Sequence, residues 1–125
     1  MDDRFVLMTE YFRSSHTGRR KEIAKSIEVN CRIPEIKRVV VFVDSQTDLP
    51  LDLADVLSIE NYKKIEVNRF PAGHRSTYSD FFSYANNHLA GENCILCNND
   101  ISFGFDLDEI RLAKDFDLSE HFICL

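Results

Sequence analysis

The densest group of side chains able to do chemistry is Asn98-Asn99-Asp100, which follows the apolar run Cys94-Ile95-Leu96-Cys97 and leads into Ile101-Ser102-Phe103-Gly104. Two amides and a carboxylate in a row offer oxygen ligands to a hard cation, and donors and acceptors to a sugar hydroxyl. The same three residues are turn formers, because Asn and Asp tolerate left-handed backbone and bond to their own main chain. A second carboxylate, Asp44, ends the run Val39-Val40-Val41-Phe42-Val43, where it can accept bonds from a ligand or cap the next segment.

Cys94 and Cys97 form a C-x-x-C, a spacing that invites a redox or zinc reading. In a strand, however, residues three apart point to opposite faces and cannot share a metal or a disulfide. Cys31 and Cys124 lack a partner at ligand spacing, and the four histidines complete no zinc pattern. The expectation is four buried free thiols in a soluble, cytoplasmic protein. His16, His74 and His88 are read as surface residues without a role. Arg19-Arg20-Lys21 is read as a solvated helix face, and a net charge of −6 argues against nucleic acid, which is held by cations that release counterions from phosphates. The apolar run after the charged opening is only Phe5 to Met8, so neither a signal peptide nor a membrane span is expected.

Several elements must position these residues. Phe5-Val6-Leu7-Met8 reads as a central strand buried on both faces, opening through Thr9-Glu10-Tyr11 into a loop. From Gly18 to about Cys31, Ile23, Ala24, Ile27 and Cys31 recur at helical spacing, with Thr17 as N-cap and Pro34 just beyond the end. Val39 to Val43 is the clearest strand, being β-branched or aromatic throughout. Leu49, Leu53, Val56 and Leu57 share one helical face, so a short helix or turn is expected over 48–57. Ile65-Glu66-Val67-Asn68 alternates as a short strand near a sheet edge does. Thr77-Tyr78-Ser79-Asp80 resembles a capping box opening a helix that buries Phe81, Ala85 and Leu89 and stops at Gly91. Strand Cys94 to Cys97 follows, then a helix from Asp106 to about Lys114 and a last strand over 121–125. This alternation specifies an α/β fold: a mostly parallel open sheet with helices on both faces, in a single domain. In such sheets ligands bind beyond the carboxyl ends of the strands, which is where Thr9, Asp44 and Asn98 fall.

No G-x-G-x-x-G follows the first strand and no P-loop pattern occurs, so neither a dinucleotide nor a P-loop site is expected. The exit of the first strand at Thr9-Glu10-Tyr11, the Val39 to Asp44 strand, the segment Arg75-Ser76-Thr77-Tyr78-Ser79-Asp80-Phe81-Phe82 and Cys97-Asn98-Asn99-Asp100-Ile101 together resemble the amino-terminal half of a glycosyltransferase of the GT-A type. This is the Rossmann-like nucleotide-diphospho-sugar transferase fold, here with Asn-x-Asp in place of Asp-x-Asp. The resemblance implies a UDP- or GDP-sugar as ligand, with Thr9 and Tyr11 at the base and ribose. It further implies Asp44 as an acceptor from the base, Arg75 at base or phosphate, and Asn98 near the ribose or donor sugar. Asp100 would hold a Mg²⁺ or Mn²⁺ ion bridging the diphosphate. The half that in this family supplies the acceptor site is expected to be missing, so the catalytic residues stay unassigned and the sheet is expected to be truncated and self-associating. Two alternatives remain. One is a non-catalytic α/β interaction module; the other is a receiver-like signalling domain, which wants an acidic pair after the first strand where only Glu10 stands.

Overall fold

The computed structural model describes residues 4–12, 17–45, 53, 58–71 and 75–99. Their elements run β1 (Phe5–Glu10), α1 (Thr17–Cys31), β2 (Ile36–Asp44), α2 (Ile59–Tyr62), β3 (Ile65–Phe70), α3 (Tyr78–His88) and β4 (Asn93–Leu96). Among the described residues the strands form one sheet in the order β3-β2-β1-β4, and every pairing is parallel. The fold is therefore α/β with a parallel sheet. The chain leaves β1 toward β2 and β3 and returns to pair β4 on the other side of β1, which makes the β1/β4 junction the topological switch point. The expected helix over 106–114 and strand over 121–125 lie outside the described residues. So does the 48–57 segment apart from Leu53, which is helical and fully buried.

The two central strands explain the layering. Parallel strands cannot be joined by a tight turn, so their connections cross a face of the sheet, and central strands must be apolar on both sides. Val6, Leu7, Val39, Val40, Val41 and Phe42 are all completely buried. On one face Phe5, Leu7, Val39, Val41 and Ile95 pack with Ile23, Ala24, Ile27 and Cys31 of α1. All four of these α1 positions are the ones at helical spacing. On the other face Val6, Met8, Val40 and Phe42 pack with Phe81 and Leu89 at α3, with Tyr84 and Ala85 partly buried against them. Phe42 anchors this side, its ring stacked on Phe81 at 4.4 Å and meeting Tyr84 edge-on at 5.3 Å.

Strand ends depart from a reading based on apolar runs. β1 continues through Thr9 and Glu10, which pair with Val41 and Phe42. β2 begins at Ile36 and includes Lys37 and Arg38, whose charges are met by Glu92 at 2.5 Å and Glu66 at 3.1 Å. At the amino-terminal end of the sheet, the Lys64 ammonium donates to the carbonyls of Ile33 (3.1 Å) and Ile36 (2.9 Å). Burial pushes its pKa below the ordinary lysine value. β3 lies at the outside of the described sheet, as its alternation predicts.

The capping box at α3 is formed. Asp80 donates its backbone N–H to Thr77 Oγ1 at 3.2 Å, and Thr77 N–H is accepted by Asp80 Oδ2 at 2.9 Å. The helix stops at His88 with Leu89 as its C-cap rather than running to Gly91. Gly91, at φ +80°, makes the left-handed turn into β4. The neighbours Phe81 and Phe82 give an internal comparison, since the first is 7% exposed and the second 54%. Phe81→Ala is expected to cost about 3–4 kcal/mol by leaving a cavity under Phe42. Phe82→Ala is expected to change stability by less than about 0.5 kcal/mol; urea unfolding midpoints of the two variants check this.

Candidate functional site

At the carboxyl ends of β1 and β2 the chain leaves an open recess of about 300 Å³, counted with its solvent-filled mouth. Its walls are Glu10, Tyr11, Phe12, Asp44, Arg75 and Ser76, over a floor that includes Phe42. Much of that volume is open solvent, so the recess is a shallow depression at the strand ends rather than an enclosed pocket for a whole nucleotide sugar.

Glu10 organises the recess. It pairs with Phe42 across the ladder and so lies on the α3 side of the sheet, facing the segment that leads into that helix. Its Oε1 accepts from Arg75 Nε at 3.2 Å and Nη2 at 2.9 Å, and its Oε2 accepts the Ser76 N–H at 2.6 Å. One carboxylate thus ties the end of β1 to the approach of α3, sixty-six residues on in sequence. Charge-assisted bonds of this kind are short and directional, and a forked guanidinium is held in a plane by them. That plane lies over the Phe12 ring, with Cζ 4.2 Å from the centroid.

Three of the residues singled out by sequence, Tyr11, Asp44 and Arg75, therefore meet at one opening. Tyr11 is 1% exposed and its backbone N–H donates to Phe42 O, so it presents little surface to a ligand in this conformation. Thr9 lies one residue earlier and is also buried. Its hydroxyl, Oγ1, has no hydrogen-bond partner. Asn98 stands exposed beyond β4, across the switch point from the recess. Asp100 lies outside the described residues. Glu10, Phe12 and Ser76 were not assigned from sequence. The available signal was position, since Glu10 and Phe12 flank Tyr11 at a strand exit and Ser76 adjoins Arg75.

Among the described residues no three His, Cys, Asp or Glu side chains converge as a metal group. The C-x-x-C is divided by the sheet as strand geometry requires: Cys97 packs on the α1 face and Cys94 on the α3 face. Cys31, Cys94 and Cys97 are free thiols. Burial pushes Cys94 above the ordinary thiol value, with Glu92 adding to the effect. Burial likewise pushes Cys31 from 9.0 up to about 12, and Lys64 offsets only part of that. No helix among the described residues is long and apolar enough to cross a membrane. Compared with models of protein families, with curated proteins and with solved structures, the chain matches none.

Two outcomes follow from these local chemistries. An unpartnered buried hydroxyl costs about 1–3 kcal/mol of desolvation, so Thr9→Val, which keeps the branched shape, is expected to raise stability by about 1 kcal/mol in denaturant titrations. Cys31 is expected to stay unmodified by a disulfide reagent at pH 8 while the chain is native, because the thiolate is the reacting form. Below pH 9 its proton is held in both folded and unfolded chains. Between about 9 and 12 the unfolded chain releases it first, so the Cys31 contribution to stability falls as pH rises. Cys31→Ala is expected to flatten that part of the pH profile.

Proposed function

We propose that the chain is a nucleotide-sugar-binding domain of the GT-A type, taking a UDP- or GDP-sugar at the carboxyl ends of its parallel strands. The observation that carries this reading is the shared recess. Tyr11, Asp44 and Arg75 come from three separate stretches of sequence and line the same opening. The opening lies at the carboxyl edge of the sheet, the edge at which open parallel sheets bind ligands, beside the β1/β4 switch point rather than within it.

On this reading the base enters the recess between Asp44 and Arg75. The ribose and diphosphate run from β1 toward β4, where Asn98 stands exposed. A carboxylate oxygen suits a hard divalent cation, so Asp100 is the residue that would hold Mg²⁺ or Mn²⁺, with Asn98 near the ribose or donor sugar. Such an ion, when bound, offsets the negative charge of a diphosphate. Thr9, buried beside Val41, acts from beneath by shaping the end of β1.

A second reading, an α/β interaction module without turnover, draws on a different surface. Tyr78 and Phe82 are 72% and 54% exposed on α3, with their rings stacked at 6.5 Å. Calorimetry separates the two. A UDP- or GDP-sugar is expected to bind in the presence of Mn²⁺, and Asp100→Asn is expected to weaken that metal-dependent binding tenfold or more. Absence of any nucleotide binding, with and without Mn²⁺, would reject the first reading and leave the second.

A further inference from the structure

Arg75 is the strongest cation at the recess, yet its geometry makes it a poor trap for phosphate. Two of its three nitrogens, Nε and Nη2, already donate to Glu10. The carboxylate that receives them offsets the guanidinium charge, so a phosphate approaching Arg75 would also meet Glu10. Phe12 takes up one side of the guanidinium, its ring centroid 4.2 Å from Cζ. What remains is the opposite face and Nη1, on a side chain that is 64% exposed. A guanidinium is weakly hydrated on its faces and stacks readily on π-systems.

We infer that Arg75, pinned edge-on by Glu10 and backed by Phe12, is a stacking platform for the flat ring of a nucleobase rather than a ligand for the diphosphate. Glu10 and Phe12 are positioning residues in this arrangement: the first fixes the plane and dampens its charge, the second supports it from below. The inference rests on the nucleotide reading above and assigns the ligand's parts within it, base at Arg75 and phosphates elsewhere. The recess is shallow and open, so it offers a surface to stack against rather than a pocket that encloses its ligand. Nη1 is left to donate to a ring nitrogen or an exocyclic carbonyl of that base. No described residue takes it.

The test titrates uridine and guanosine, which carry no phosphate, and inorganic diphosphate with Mn²⁺ into the wild-type chain and its variants. Arg75→Lys keeps the charge and removes the plane. It is expected to weaken nucleoside binding about tenfold, since stacking on one base is worth about 1–3 kcal/mol, and to leave diphosphate binding unchanged. Glu10→Gln uncovers the charge. It is expected to weaken nucleoside binding while strengthening diphosphate binding, whereas a merely structural role for Glu10 would lower both. In ¹⁵N-labelled protein the Arg75 Nε–H resonance is expected to move upfield as nucleoside is added, from the ring current of the stacked base. Should Arg75→Lys not fold, Phe12→Leu, which removes the supporting ring, takes its place with the same expectation. Diphosphate affinity that falls in Arg75→Lys while nucleoside affinity holds overturns the platform, as does nucleoside binding without the resonance shift. If wild type binds a nucleoside diphosphate but the variants do not differ from it, this inference fails alone. If wild type binds neither nucleoside nor nucleoside diphosphate, it falls together with the functional reading.

Discussion

The structure depends on two adjacent strands that are dry on both faces. Because β1 and β2 run parallel and bury Val6, Leu7, Val39, Val40, Val41 and Phe42 completely, a polar group on either face loses its water at a cost, as the unpartnered Thr9 hydroxyl does. Their connections must cross those faces as helices, which is why α1 packs on one side and α3 on the other. Polar side chains are thereby driven to the strand ends. Glu10 and Asp44 occupy the ends of β1 and β2 because these are the first positions at which a carboxylate reaches both solvent and donors.

Glu10 then does for the carboxyl end of the sheet what apolar packing does for its middle. Its bonds to Arg75 and Ser76 join β1 to the start of α3, and the Thr77–Asp80 capping box fixes the first turn immediately afterwards. Arg75 is held between two ordered elements rather than free in a loop, although much of its surface faces solvent. The recess follows from this tie: Phe42 forms its floor as a core residue, and Phe12 and Arg75 form one wall as a stacked pair. The exposed Tyr78 and Phe82 stand one turn apart on the same helix, Tyr78 within its first turn, outside the core cluster.

Much of this was legible in the amino-acid pattern because burial repeats with a period. The α1 spacing at Ile23, Ala24, Ile27 and Cys31 names the buried face, and the Val39 to Val43 run names the central strand. The capping box at Thr77 and the division of Cys94 from Cys97 follow from backbone geometry in the same direct way. Strand ends were less legible because polar residues enter them. Lys37 and Arg38 belong to β2 only because Glu92 and Glu66 arrive from distant elements, and nothing in a local window announces those partners. Glu28 shows the same effect within α1. It is 1% exposed, buried in α1 along with Asn30, and is accommodated by Lys25 at 3.1 Å and by Arg32 one turn away. At the site, Asp44 and Arg75 could be singled out as residues, but the bond from Arg75 to Glu10 spans sixty-five positions and had no local signature. α2 is a four-residue helix, too short for a period to develop.

The two ends of the sheet are fastened in different ways. At the amino-terminal end the Lys64 ammonium is locked onto two main-chain carbonyls, whose positions are set by the backbone itself. At the other end Glu10 holds the Ser76 main-chain N–H and the Arg75 guanidinium, the latter on a side chain largely in water. Exposed ion pairs are screened by salt while donors to main-chain carbonyls keep their partners, so rising ionic strength loosens the tie at the recess before the one at Lys64.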